Sequence, residues 1–304
     1  MRNKPLFSLP SGNSLDLNGP TLIMAIVNCN EDSFYPSSRA VGAKALEKAL
    51  AAEKDGAAII DFGAESSRPG SSYISCEEEI AALVPLIKAF RERSRLPVSV
   101  DTRKATVARA ALEAGADIVN DISAFGDDPE MAGVCAAAGA AVVLMHKKGV
   151  PLTMQDAPLY GNLLEEIEIF LAAAAEKAVA AGIPKEKIIF DPGIGFGKTL
   201  EHNLEILRRL PDFVSLPRLA EICGKDYSVL IGLSRKNFIG EITGGKAVTE
   251  RLPGTLAANG AAIMGGADII RVHDVKEHVD LAKMMFALRP EGKRSPQSLR
   301  QQRV

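Results

Sequence analysis

Gly115-Ala116-Asp117-Ile118-Val119-Asn120 is one of four stretches in which a Gly-Ala pair launches a short apolar run. The others are Gly56-Ala57-Ala58-Ile59-Ile60-Asp61, Gly139-Ala140-Ala141-Val142-Val143-Leu144, which runs on to Met145-His146, and Gly266-Ala267-Asp268-Ile269-Ile270-Arg271. Each follows an Ala-rich stretch or one compatible with a helix. A glycine at a helix C-terminus takes the left-handed conformation without a Cβ clash. The apolar run after it has the character of a strand buried on both faces. Repeated helix–Gly–strand units define a parallel α/β architecture. Such sheets place their chemistry at the carboxyl ends of the strands, so the residues closing each run carry the functional reading.

Working outward, eight strands are expected: Leu22–Asn28, Ala58–Gly63, Val98–Asp101, Ile118–Asp121, Ala141–His146, Ile188–Asp191, Ser228–Gly232 and Ile269–His273. Helical stretches separate them, the clearest at 162–181, where Leu164, Ile167, Leu171, Ala174 and Ala178 share one face. Eight strand–helix units in one chain fit an α/β fold of the (β/α)8 TIM-barrel type, with an open doubly wound sheet as the alternative. The long strand-to-helix segments, 29–40, 64–75 and 233–249, mark one face as the working face. The expected organisation is a cover segment at 1–20, a single barrel domain at 21–288 and a solvated, flexible tail at 289–304.

Composition narrows the function. The chain has 304 residues, 47% hydrophobic and 24% charged, with a net charge of −2. No overall basic field calls for nucleic acid. The cysteines, Cys29, Cys76, Cys135 and Cys223, form no CxxC pair and no metal-ligand spacing, as in a reduced, cytoplasmic protein. No apolar run is long enough to span a membrane, and the N-terminus lacks the apolar segment of a signal peptide.

The strand ends read Asn28, Asp61, Asp101, Asn120, His146, Asp191, Gly232 followed by Ser234, and Arg271 with His273. A single strand-end Asp is readily a helix cap. A whole ring of polar ends is harder to ascribe to capping. Asp101, Asn120 and Asp191 together suit a flat heterocycle with amino and ring N–H groups, because buried polar groups must be paired. A second constellation is cationic: Arg68 in a long loop, Arg235 and Lys236 after the seventh strand, and Arg271 with His273 on the eighth. Barrels often bind phosphate after strands seven and eight, and Arg supplies bidentate geometry for it. The stretch Gly193-Ile194-Gly195-Phe196-Gly197-Lys198-Thr199 is one residue short of the phosphate-loop spacing GxxxxGK[ST], so it is read as backbone that approaches the mouth closely. No nucleophile–base triad is visible, a catalytic Cys29 thiol has no His adjacent in sequence, and there is no zinc-type cluster. Any metal is expected to be Mg²⁺, held by few protein oxygens and by substrate phosphates.

These residues make the chain resemble the dihydropteroate synthases, the pterin-binding barrel enzymes of folate biosynthesis. The likeness spans about Met24 to Val275 and rests on MAIVNCNEDSF (24–34), DFGAESSRPG (61–70), VDTRK (100–104), NDIS (120–123), MH (145–146), DPGIGFGKT (191–199), GLSRKNFIG (232–240) and IIRVHDV (269–275). The resemblance implies a transferase joining 6-hydroxymethyl-7,8-dihydropterin diphosphate to 4-aminobenzoate, giving 7,8-dihydropteroate and pyrophosphate. It implies a pterin pocket of Asp101, Asn120, Met145, Asp191 and Lys236, and a diphosphate clamp of Asn28, Arg68, Arg271 and His273. It also implies Mg²⁺ at Asn28, walls for 4-aminobenzoate from Phe34, Ser67, Pro69, Ser234 and Lys236, and catalysis by Asp101, Lys236, Asp191, Arg271 and His273. A homodimer through outer helices is implied by the same analogy. The chain departs from the family pattern at Asn30-Glu31, where Thr-Pro is usual, and at Ser37-Ser38, where Gly-Gly is usual. It departs again at Phe62-Gly63-Ala64 for Ile-Gly-Gly, at Ser66-Ser67-Arg68 for Ser-Thr-Arg, and at Lys147 for Met. The alternatives are a methyltetrahydrofolate:corrinoid methyltransferase, which needs no diphosphate clamp, and a catalytically silent pterin-binding relative.

Overall fold

The structure, a computed structural model, describes residues 4, 6–29, 38–65, 74–149, 154 and 158–289. A short antiparallel hairpin, β1 (Phe7–Ser8) and β2 (Ser14–Leu15), precedes the barrel strands. These are β3 (Leu22–Asn28), β4 (Ile59–Gly63), β5 (Val98–Asp101), β6 (Ile118–Asp121), β7 (Ala141–Met145), β8 (Ile188–Asp191), β9 (Ser228–Ile231) and β10 (Ile269–Val272). They run parallel in sequence order, and β10 pairs with β3 to close an eight-stranded barrel. The open doubly wound alternative is thereby excluded. Helices return the chain between strands, and three of the four Gly-Ala turns have their Gly at φ near 100°: Gly56 at 99°, Gly115 at 113° and Gly266 at 105°.

Side chains alternate across each strand, and the alternation builds two cores. Outward residues such as Ile60, Phe62, Val100, Val119, Val142 and Phe190 pack against the helices. Leu164, Ile167, Leu171, Ala174 and Ala178 are all buried in that layer, so the helical period at 163–180 faces the barrel as the sequence predicts. Inward residues near the strand starts, Met24, Ile59, Ile118, Val143, Ile189, Leu230 and Ile269, fill the lower lumen. The hairpin region closes this end: Leu9, Leu15 and Leu17 join the lumen cluster. Burial of each such leucine contributes about 1.5–3 kcal/mol. The Lys4 ammonium pins the segment from below by bonding Asp268 and the Tyr227 carbonyl.

One inward step further along each strand the lumen changes from apolar to polar. Asn28, Asp61, Gly63, Asp101, Asn120, Met145, Asp191 and Arg271 share the inward parity of the apolar layer beneath them. The plug below and the polar ring above are two ends of the same alternation. Residues 30–37, 66–73 and 290–304 lie outside the described set, so Phe34, Ser67, Arg68, Pro69, the loop substitutions at 30–31, 37 and 66–68, and the tail from 290 onward are outside it too.

Candidate active site

The ring at the carboxyl ends of the strands is held together by Arg271. Its side chain crosses the lumen from β10, where Nε donates to Asp61 Oδ2 at 2.6 Å and Nη2 donates to Asp101 Oδ2 at 2.6 Å. The Asp61 carboxylate has no exposure to solvent, and its Oδ2 lies 3.4 Å from Asn120 Nδ2. Burial pushes the Asp101 carboxyl up to about 7, with Arg271 pulling the other way. Burial also works against the Arg271 cation, but Asp61 and Asp101 outweigh it and hold the guanidinium above the usual arginine range.

Beside Arg271, on the other side of Gly232, stands a second pair of charges. Asp191 closes β8, and its Oδ1 accepts from the Gly193 N–H at 2.7 Å. Burial raises its pKa, opposed first by Lys236. Lys236 follows β9; its ammonium donates to the Ile194 carbonyl and lies 4.6 Å above the Phe196 ring centroid. Burial pulls that ammonium down to about 8. Met145 is buried beside this loop, in contact range of Gly193. Gly63 and Gly232 leave room between the charges: a Cβ at Gly63 would lie 3.4 Å from Asp101 Cβ and 3.9 Å from Asn28 Oδ1, and one at Gly232 would lie 3.8 Å from Asp191 Oδ2. The floor of the mouth is thus a set of polar groups beside Gly63 and Gly232, where an added methyl would stand in contact with them.

At the rim, Ser234 Oγ accepts from the His273 backbone N–H at 3.2 Å and lies 3.0 Å from His273 Nδ1. The exposed imidazole is fixed by that hydroxyl rather than by Arg271. Arg235, at φ 56°, gives Nε and Nη2 to the two oxygens of Asp274 at 2.8 and 2.7 Å. It ties the β9 loop to the end of β10 and is spent on structure, not offered to phosphate.

Two readings need correction. His146 does not converge on the mouth. β7 ends at Met145, and the next side chain points to the opposite face, where His146 is buried against Tyr160 and Phe170. Burial and the Lys198 charge hold its imidazole down at about 2, so it is neutral. The glycine stretch approaches backbone on that outer side as well as the mouth. A Cβ at Gly193 would overlap the His146 carbonyl oxygen and one at Gly197 the Lys148 carbonyl oxygen, while Gly195 faces the Lys236 side chain. Cys29 is buried and its thiol is pushed up to about 12, which leaves no nucleophilic thiolate there.

Sequence reasoning missed three groups. Asp61 stood among the strand ends without a role. Lys198, buried, folds the glycine stretch by donating to Gly193 O at 2.9 Å and Phe196 O at 3.2 Å, and it lies 2.9 Å from His146 Nδ1. Third, a belt of ion pairs runs around the rim: Lys104 joins Glu79 at 2.7 Å and Glu65 at 2.5 Å, and Arg103 joins Glu65 to Asp127 at 2.9 Å. Lys147 closes on Asp127 at 2.7 Å. Lys104 also reaches the Ile74 carbonyl at 2.7 Å. Within VDTRK the sequence assigns a role to Asp101 only, because long-range partners of Arg103 and Lys104 leave no mark in spacing.

The chain is thus a closed α/β barrel with a ring of polar side chains at the carboxyl ends of its strands, the place where barrel enzymes carry their chemistry. The chain belongs to the pterin binding enzyme family, whose model matches residues 24–273. It is similar to the dihydropteroate synthase of Synechocystis sp., with 43% identity over 92% of this chain and 94% of that protein. Among solved structures it resembles Yersinia pestis dihydropteroate synthase in complex with a sulfonamide drug, at TM-score 0.84 and 37% identity, covering 94% of this chain and 99% of that one. Xanthomonas albilineans dihydropteroate synthase with 4-aminobenzoic acid follows at TM-score 0.83 and 36% identity, covering 95% and 99%.

Proposed function

We propose that this protein is a transferase of folate synthesis that condenses 6-hydroxymethyl-7,8-dihydropterin diphosphate with 4-aminobenzoate, releasing pyrophosphate. The observation that carries the reading is the gathering of Asp101, Asn120, Asp191 and Lys236 at one end of the barrel, in a chain of this family. Carboxylates and an amide match the amino and ring N–H edge of a pterin, and the Lys236 ammonium matches an oxo or ring-nitrogen acceptor. Met145 packs against the ring from the side.

The C–O bond to the diphosphate breaks with its electron pair leaving on oxygen. Arg271 and His273 stabilise that charge on the rim side, and Arg68 is the further cation that the family resemblance assigns to it. The positive charge left on the pterin methylene carbon faces Asp101 and Asp191, whose field in a dry lumen is strong. The aniline nitrogen then forms the C–N bond and loses a proton, so no covalent nucleophile is needed. This agrees with the inert Cys29 thiol. Ser234, Lys236, Phe34, Ser67 and Pro69 would wall the 4-aminobenzoate.

The donor set fits Mg²⁺ held largely by substrate. Asn28 offers one amide oxygen on the inward face, and among the described residues no group of three His, Cys, Asp or Glu could cage a metal. When bound, the ion supplies charge against the diphosphate. The methyltransferase alternative gains no support from Arg271 and His273, which it does not need. Among the described residues no helix is long and apolar enough to cross a membrane. We place the reaction in the cytoplasm and the active species as a homodimer; exposed Met264, Met284 and Leu288 on the two last helices support a protein contact there. Sulfonamide binding in the 4-aminobenzoate position follows from the same reading.

The test is pyrophosphate release from the pterin diphosphate, measured with and without 4-aminobenzoate and Mg²⁺. Dependence on both is expected; release indifferent to the amine would overturn the proposal.

A further inference from the structure

We infer that Asp61 is a specificity-determining positioning residue, which fixes the face of Asn120 that a heterocycle meets. The inference rests on the pterin reading above. Asp61 is wholly buried on β4, one inward step below Gly63. Its Oδ2 accepts from Arg271 Nε at 2.6 Å and lies 3.4 Å from Asn120 Nδ2. Its Oδ1 is buried with no partner among the described residues.

A carboxylate offers lone pairs only. The Asn120 amide can therefore meet it only with its NH₂ end, whichever way the amide is drawn. The reverse orientation would set an amide oxygen against a carboxylate in a dry interior, where repulsion is weakly screened. Asp61 thus turns the Asn120 carbonyl oxygen away from itself, and that oxygen has no protein donor among the described residues. The same carboxylate holds the base of the Arg271 guanidinium, so the cation does not compete for Asn120.

A ligand must bring a donor to that oxygen. The 2-amino group of a pterin does so. A 2,4-dioxopteridine presents an oxo acceptor at the same place, which leaves the amide oxygen unpaired and facing another oxygen. Asp61 sets this discrimination without touching the ligand. In Asp61→Asn the neighbour can donate as well as accept, and the Asn120 amide is free to turn.

The experiment measures binding of oxidised 6-hydroxymethylpterin and 6-hydroxymethyllumazine to the full chain at pH 7 by ligand fluorescence; the protein contains no Trp to interfere. Wild type is expected to favour the pterin by ~10-fold or more, on the cost of an unpaired buried polar group. In Asp61→Asn the ratio should collapse several-fold, chiefly through tighter lumazine binding, a change that general loosening of the pocket does not produce. Asn120→Leu removes the amide itself and should narrow the ratio likewise, which keeps the test open should Asp61→Asn fail to fold. An unchanged ratio in Asn120→Leu, or in a folded Asp61→Asn, overturns the role of Asp61 while leaving the pterin reading intact. Failure of the wild type to bind pterin overturns both.

Discussion

Arg271 Nη2 lies 2.6 Å from Asp101 Oδ2, although their strands, β10 and β5, are separated in the barrel by β3 and β4. The cation expected on the leaving group and the carboxylate expected on the pterin ring are one electrostatic unit. Substituting either therefore acts on both. Arg271→Met leaves Asp61 and Asp101 buried without their cation, and removal of one partner of a buried pair costs about 3–5 kcal/mol. Asp101, already raised to about 7 by burial with Arg271 opposing, would titrate higher still. A carboxyl raised in the folded state favours folding at low pH and loses that contribution as pH rises. Denaturant melts of Arg271→Met should accordingly show the largest deficit above neutrality and partial recovery toward pH 5. A deficit independent of pH would contradict the pairing.

The pH dependence of kcat/KM should be bell-shaped and narrow. Asp101 must be ionised and Lys236 protonated, and burial brings them to about 7 and about 8 respectively. Activity should rise with pH as Asp101 loses its proton and fall as Lys236 loses its own. Asp101→Asn should remove the acid limb and cost about 3 kcal/mol of transition-state stabilisation, the scale of a lost preorganised charge. Lys236→Arg should carry the alkaline limb upward, since a guanidinium stays charged. Limbs that stay in place in both variants would assign them to other groups.

Lys198 is buried behind the glycine loop, yet its loss should be felt in the pocket. Lys198→Met leaves Gly193 O and Phe196 O without their buried donor, at about 1–3 kcal/mol for each unsatisfied group. The same turn presents Gly193 N–H to Asp191 and Ile194 O to Lys236. A lower melting temperature together with a raised KM for the pterin substrate is expected. A raised KM for 4-aminobenzoate alone would place the effect elsewhere.

Gly232 offers a test of space rather than charge. A Cβ there meets Arg271 Cβ and Asp191 Oδ2 at 3.8 Å, ordinary contact that the fold tolerates. Gly232→Ala should change stability by less than about 1 kcal/mol. Pterin affinity, read by titration calorimetry, should nevertheless fall by ~10-fold, because the methyl stands between the groups that hold the ring. Gly193→Ala should behave in the opposite way and unfold the protein at lower denaturant, since its Cβ would overlap the His146 carbonyl oxygen.

Local pattern was enough to read the barrel. The Gly-Ala turns and two-sided apolar runs placed all eight barrel strands, and inward parity gathered Asp101, Asn120, Asp191 and Arg271 on one face. Failures came where one residue of register decides a side. The run at 141–146 carries His146 one position past the true strand end, and that step turns it out of the lumen. Short helices at Leu210–Phe213, Pro217–Cys223 and Asn237–Ile242 went unread because their few turns show no period. The roles of Asp61 and Lys104 depend on partners far away in sequence, such as Arg271 for Asp61, 210 positions distant. No spacing rule reports such a contact.

A crystal structure with the pterin diphosphate bound decides whether the polar ring inside the mouth is where the pterin sits. The ring system should lie within hydrogen-bond distance of Asp101, Asn120, Asp191 and Lys236, with its diphosphate reaching toward Arg271 and His273. A heterocycle found outside that ring, with those four side chains touching only protein, would show that the ring is not the pterin site.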